Sequence, residues 1–159
     1  MEICIVAVGK IKEKFYKEAA DEYLKRLKKF TKVKVIEVKD EPIPSNLSPG
    51  DKQKILEAEG ERIIRHIKDD TYVIALNISG EEISSEKLAS RLQQLFLGGT
   101  SRLTFIVGGT LGLSSSVLLR SHWQLSLSKL TFPHQLARVI LLEQIYRSFT
   151  IINREPYHR

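Results

Sequence analysis

Residues 72–78 read Tyr-Val-Ile-Ala-Leu-Asn-Ile and residues 103–107 read Leu-Thr-Phe-Ile-Val, two short runs that are apolar almost throughout. A strand with one wet face alternates apolar and polar side chains, whereas a strand apolar at nearly every position is covered on both faces. Such strands belong to parallel sheets, whose crossover connections lay helices above and below. Working outward, Glu2–Val8 is a third run of this kind, rich in β-branched residues and closed by Gly9. Val33–Val38 alternates apolar with charged residues, the pattern of a strand exposed on one side. Trp123–Leu127 completes five predicted strands.

Helical periodicity fills the intervals. Phe15, Ala19, Tyr23, Leu24, Leu27 and Phe30 recur at helical spacing over residues 14–30. Asp51 is a candidate N-cap for a helix running to Ile67, after a loop, Asp40–Gly50, with three prolines. Ser84 or Ser85 caps a helix through Phe96 that Gly98-Gly99 ends. Ser114–Arg120 forms a short helix and His134–Asn153 a long one. Strand and helix therefore alternate five times. The expectation is one α/β domain over residues 1–159, with a mostly parallel sheet flanked by helices.

Composition narrows the function. With 159 residues, 42% apolar and 28% charged, the chain has the make-up of a soluble globular protein. The lone Cys4 has no internal partner for a bridge, which fits a reducing, cytoplasmic compartment. No apolar run approaches the length of a membrane span. The net charge of +6 is uneven: residues 10–34 and everything after Leu88 are basic, and residues 37–87 are acidic. Two basic regions suit a polyanion such as nucleic acid, and solvated lysines give the same pattern.

In open α/β sheets, ligands bind beyond the carboxyl ends of the strands. The first strand ends in Ala7-Val8-Gly9-Lys10, without the several glycines of a dinucleotide site, and no P-loop occurs. An ordinary Rossmann oxidoreductase is thereby disfavoured. Glycines follow the fourth strand instead, at Gly108-Gly109-Thr110-Leu111-Gly112. They suit close backbone approach of a ligand or a tight turn. After the fifth strand, Ser126-Leu127-Ser128-Lys129-Leu130-Thr131-Phe132-Pro133-His134 offers hydroxyls, backbone groups and apolar contacts. Those are the requirements of an adenine pocket, or of a plain loop in which Thr131 assists the helix start and Pro133 fits its first turn. His66, His122, His134 and His158 lack metal-ligand spacing, so no metal is expected.

The last helix is apolar around much of its circumference, through Leu136, Val139, Ile140, Leu142, Ile145, Tyr146, Phe149 and Ile152. That surplus fits a homodimer contact or a fully buried core helix. In the first case Arg138 and Arg147 would stand in or beside a shared site. The polar ending Tyr157-His158-Arg159 has groups to stack on a base, accept a proton and hold a phosphate, although tails commonly fray.

Four segments are specific in combination: Ala7-Val8-Gly9-Lys10, Phe105-Ile106-Val107-Gly108-Gly109, the run 126–134, and Pro156-Tyr157-His158-Arg159. The chain resembles, over its whole length, the small SPOUT methyltransferases that modify pseudouridine at N3 in 23S ribosomal RNA of the large subunit, the RlmH family. The resemblance implies a C-terminal trefoil knot, a homodimer, and S-adenosylmethionine held by Leu76, Gly108, Leu127, Ser128, Lys129, Leu130, Thr131 and Phe132. It implies ribosomal RNA in the large subunit or assembled ribosome as partner. Because aromatic, imidazole and guanidinium groups together suit a base and its phosphate, the tail is expected to complete the active site across the dimer, with His158 assisting N3 deprotonation, Arg159 holding the RNA backbone or the developing anion, and Tyr157 stacking on the base or bracing the tail. Leu111 departs from the family, where a polar residue is common. The competing reading is a noncatalytic RNA- or nucleotide-binding α/β module, which predicts no cofactor affinity.

Overall fold

Ten elements follow one another in strict alternation in the computed structural model, which describes all 159 residues. They are β1 (Glu2–Val8), α1 (Lys14–Leu27), β2 (Lys32–Val38), α2 (Pro49–Ile64), β3 (Tyr72–Glu82), α3 (Ser85–Leu97), β4 (Arg102–Val107), α4 (Ser115–Arg120), β5 (Trp123–Ser126) and α5 (His134–Ile152). All five strands are parallel, in the order β2-β1-β4-β3-β5. The near-continuous apolar runs are the inner strands, as double-sided burial requires. The alternating strand β2 is an edge, where exposed Lys32 and Lys34 discourage pairing with another sheet.

Helices α1, α3 and α5 pack on one face of the sheet, over a core that includes Ile5, Leu27, Leu92, Phe105 and Leu142. Helices α2 and α4 cover the other through Ile63 and Val117, against Val6, Val73 and Ile106. α5 lies between α1 and α3. Phe149 stacks between Phe30 and Phe96, with ring centroids 5.6 and 5.8 Å away. This packing within the chain buries Val139, Leu142, Ile145, Tyr146 and Phe149, whereas Leu136, Ile140 and Ile152 are only partly covered. Much of the surplus is therefore core, and Leu136, Ile140 and Ile152 remain partly exposed along the helix.

Several boundaries differ from expectation. The α2 cap is Ser48, not Asp51: the Ser48 hydroxyl accepts from Asp51 N, the Asp51 carboxylate accepts from Ser48 N, and Pro49 occupies the first turn. The same bonds hold the Asp51 carboxyl below its ordinary range. α1 stops at Leu27, because Phe30 turns back onto Tyr146 and Phe149. α2 ends at Ile64, ahead of the expected Ile67. Pro133 is itself the N-cap of α5, and no side chain, Thr131 included, caps that helix. β3 continues past Ile78 to Glu82 after an irregularity between Leu76 and Glu81. Gly80 permits this detour, since a Cβ there would stand 2.7 Å from the Gln124 carbonyl oxygen.

Candidate active site

The carboxyl ends of β3, β4 and β5 converge on a cleft of about 440 Å³. Each end contributes through a different local device. The detour in β3 brings Leu76, Asn77 and Ile78 to the cleft wall, and Asn77 Nδ2 donates to Gln124 Oε1 at 2.9 Å. After β4, Gly109 and Gly112 form a small antiparallel bridge that folds 108–112 into a tight loop. A Cβ on Gly108 would lie 2.6 Å from Gly112 O, so a side chain is excluded by the loop's own backbone. Both readings of these glycines therefore meet: they make a tight turn, and that turn presents bare backbone to the cleft. After β5, Ser126 Oγ donates to Ser128 O and Leu130 N donates to Ser128 Oγ, each at 3.0 Å. Those bonds hold 127–132 in a defined curve.

Of the residues expected to hold a cofactor, Leu76, Gly108, Leu127, Ser128, Leu130, Thr131 and Phe132 all line this cleft. Lys129 is exposed and is not part of its wall. The apolar side chains suit a flat heteroaromatic ring, and the exposed backbone and hydroxyls suit its polar edge. The glycine loop forms a cradle that a Cβ at Gly108 would disrupt. His134 also lines the cleft, where burial, and then Arg138, push its pKa down, favouring neutral imidazole. In the sequence His134 stands both at the end of the 126–134 run and at the start of the last helix. A larger groove of about 560 Å³ lies between α2 and α4, but it includes no strand end.

The tail lies elsewhere. Tyr157 packs edge-on against Tyr146, with ring centroids 4.8 Å apart, and its hydroxyl donates to Glu143 Oε1. Burial and a hydrogen bond with Tyr23 push its pKa up to about 12, so the phenol stays protonated at neutral pH. His158 lies between Arg147 and Glu86. Arg159 is exposed. None of the three lines the cleft of its own chain. Arg138, 3% exposed, is bound to Glu37 and to Gly9 O, so it braces the end of β1 and does not face the cleft. No group of three or more His, Cys, Asp or Glu side chains is arranged to hold a metal ion. No helix is long and apolar enough to cross a membrane.

This topology and cleft define a parallel α/β protein whose ligand site is built from the loops after three neighbouring strands, and comparison supplies the class. The family described as "Predicted SPOUT methyltransferase" matches residues 1–158, and the chain belongs to that family. The particular relatives are named consistently. A protein of Methanococcus maripaludis (strain C5), "Putative ribosomal RNA large subunit methyltransferase H", is 55% identical over 159 residues, covering all of both chains. "Ribosomal RNA large subunit methyltransferase H" of Acetivibrio thermocellus is 50% identical over the same full lengths. Its namesake in Clostridium botulinum (strain Hall) is 53% identical, again across both whole chains. Among solved structures, a probable methylase family protein from Haemophilus influenzae Rd KW20 matches with a TM-score of 0.50 at 14% identity. That match covers 96% of this chain and 66% of the other, and supports the fold alone.

Proposed function

We propose that the protein is a single-domain, cytoplasmic enzyme, active as a homodimer, that methylates N3 of a pseudouridine in large-subunit ribosomal RNA using S-adenosylmethionine. The observation that carries the reading is the convergence of Leu76, Gly108 and the 127–132 loop on one cleft. The full-length relatives named as ribosomal RNA methyltransferases support the substrate class. The reading includes a knotted C-terminal third. When bound, the cofactor supplies an electrophilic methyl group, so the protein's work is alignment and proton removal.

Leu76, Leu127, Leu130 and Phe132 supply the apolar surface for the adenine, while the 108–112 backbone and Ser128 offer polar contacts. Pseudouridine N3 carries a proton that must leave as the new N–C bond forms. Tyr157, held protonated, cannot accept it, which leaves His158 as the tail's proton acceptor. Because the tail stands away from its own cleft, it serves the cleft of a second copy. Arg159 holds the RNA backbone or the anion developing on the base, and Tyr157 braces the tail or stacks on the base. The basic stretch over residues 10–34 and the later arginines meet RNA phosphates.

Titration calorimetry tests the cofactor assignment. The expected result is stoichiometric binding of S-adenosylmethionine. Absence of binding by the folded protein overturns the enzymatic reading and favours a noncatalytic RNA-binding module.

A further inference from the structure

α2 packs on the sheet through Ile55, Glu59 and Ile63, one residue per turn, so a carboxylate occupies a place where the periodicity calls for an apolar side chain. Glu59 is only 5% exposed. Its Oε2 accepts from Glu41 N at 3.0 Å, and no hydrogen bond reaches Oε1. The nearest guanidinium, Arg62, is already committed to Glu41 and to Lys39 O. A carboxylate so little exposed, with one hydrogen bond and no cation of its own, gives up much of its hydration, and burial pushes its pKa up.

What the carboxylate faces suggests a role. A Cβ built on Gly109 would lie 3.5 and 3.6 Å from the two Glu59 oxygens, so the carboxylate abuts the bare face of that glycine. Glu59 lines a small chamber behind the glycine loop, and Gly109, Thr110, Leu111 and His134 line both that chamber and the cleft. One thickness of chain separates the buried charge from the ligand space. The other ionisable groups near Glu59 are Asp40 and Glu41 from the loop after β2, Arg62 from α2, and His134 from α5. With Arg62 paired to Glu41 and His134 favoured neutral, the chamber is negative on balance.

We propose that Glu59 is a specificity-determining residue whose buried charge makes the cleft prefer the positively charged methyl donor over its neutral demethylated product. The proposal rests on the reading of the cleft as a site for S-adenosylmethionine. The sulfonium loses its positive charge when the methyl leaves, while the rest of the molecule is unchanged. A fixed negative charge in a poorly solvated wall therefore attracts the substrate and releases the product. A Glu59 that merely braced Glu41 would affect both ligands alike.

The test compares S-adenosylmethionine, S-adenosylhomocysteine and the analogue with an ammonium group in place of the sulfonium, by calorimetry on the wild-type protein and E59Q. Glutamine keeps the size and an oxygen for Glu41 N, and removes the charge. Both cations should lose affinity on the order of tenfold in E59Q, while the sulfide is nearly unaffected. Equal loss for all three overturns the proposal in favour of a brace. If E59Q does not fold, the wild-type comparison decides: both cations should bind more tightly than the sulfide, and equal or tighter sulfide binding overturns the inference. Failure of the wild-type protein to bind any of the three defeats the cofactor reading itself, and this inference with it.

Discussion

His158 Nε2 lies 2.8 Å from Glu86 Oε1, tying the tail to the first turn of α3. The other ring nitrogen, Nδ1, lies 2.9 Å from Arg147 Nη1. A guanidinium only donates, so Nδ1 is the acceptor, and Nε2 carries the hydrogen that goes to Glu86. Both ring nitrogens are therefore occupied in the docked tail.

That arrangement has a pH signature. The hydrogen bond from His158, followed by one to backbone, holds the Glu86 carboxyl below its ordinary range. A depressed folded value means that its contribution is fully present above the unfolded value of about 4.3 and is lost as pH falls through the folded one. Amide protection at residues 157 and 158, taken relative to the intrinsic exchange rate at each pH, should therefore fall in acid. E86A should show the same loss of protection at neutral pH. Unchanged exchange in E86A would show that the tail is held by Tyr157 alone.

Gly108 and Ala137 separate folding of the loop from occupancy of the cleft. Gly108→Ala sets a Cβ against Gly112 O, so thermal stability and cofactor affinity should fall together. Ala137 lines the cleft from α5 and is only partly buried. Ala137→Phe should abolish cofactor binding while the melting temperature changes little. Full binding by Ala137→Phe would move the ligand to another part of the cleft.

The Ser48 cap gives a control far from the chemistry. Ser48→Ala removes the acceptor for Asp51 N and breaks the reciprocal bond. Denaturant unfolding should register a loss of about 1 kcal/mol, with cofactor affinity unchanged. A loss of affinity would mean that α2 is coupled to the cleft more tightly than its hydrogen bonds suggest.

The tail should act between subunits. A chain ending at Pro156 should bind cofactor and fail to methylate, and Ala137→Phe should fail for want of cofactor. Mixed dimers of the two contain one open cleft facing one intact tail. Methyl incorporation should reappear on mixing. Two inactive partners that stay inactive when hybrid formation is verified would place the tail's work within one chain, or nowhere.

Much of the architecture was legible in the sequence because double-sided burial leaves apolar runs such as Tyr72–Ile78, and strand–helix alternation then permits few sheets. The strand order was not, since it depends on which strands meet through contacts far apart in the chain. The cap of α2 was misplaced by three residues: Ser48 and Asp51 are both good caps, and only the geometry shows which hydroxyl or carboxylate faces which amide. α5 illustrates a deeper ambiguity. An apolar circumference does not say what covers it: α1 and α3 of the same chain cover Leu142, Ile145 and Phe149, and Leu136, Ile140 and Ile152 stay partly exposed. The cleft residues were accessible through the glycines and the 126–134 run. Glu59 was hidden among the charges of α2, because its importance lies in burial, which the bare charge pattern cannot distinguish from a solvated face.

The most direct measurement is the identity of the methylated nucleoside. Large ribosomal subunits and assembled ribosomes lacking the modification are incubated with the purified protein and S-adenosylmethionine bearing a deuterated methyl group. The RNA is then digested and its nucleosides are resolved by mass spectrometry. The account predicts label on N3 of a pseudouridine with the full chain, and none with the chain ending at Pro156. Label on any other base, or no label from a protein that binds the cofactor, would contradict it.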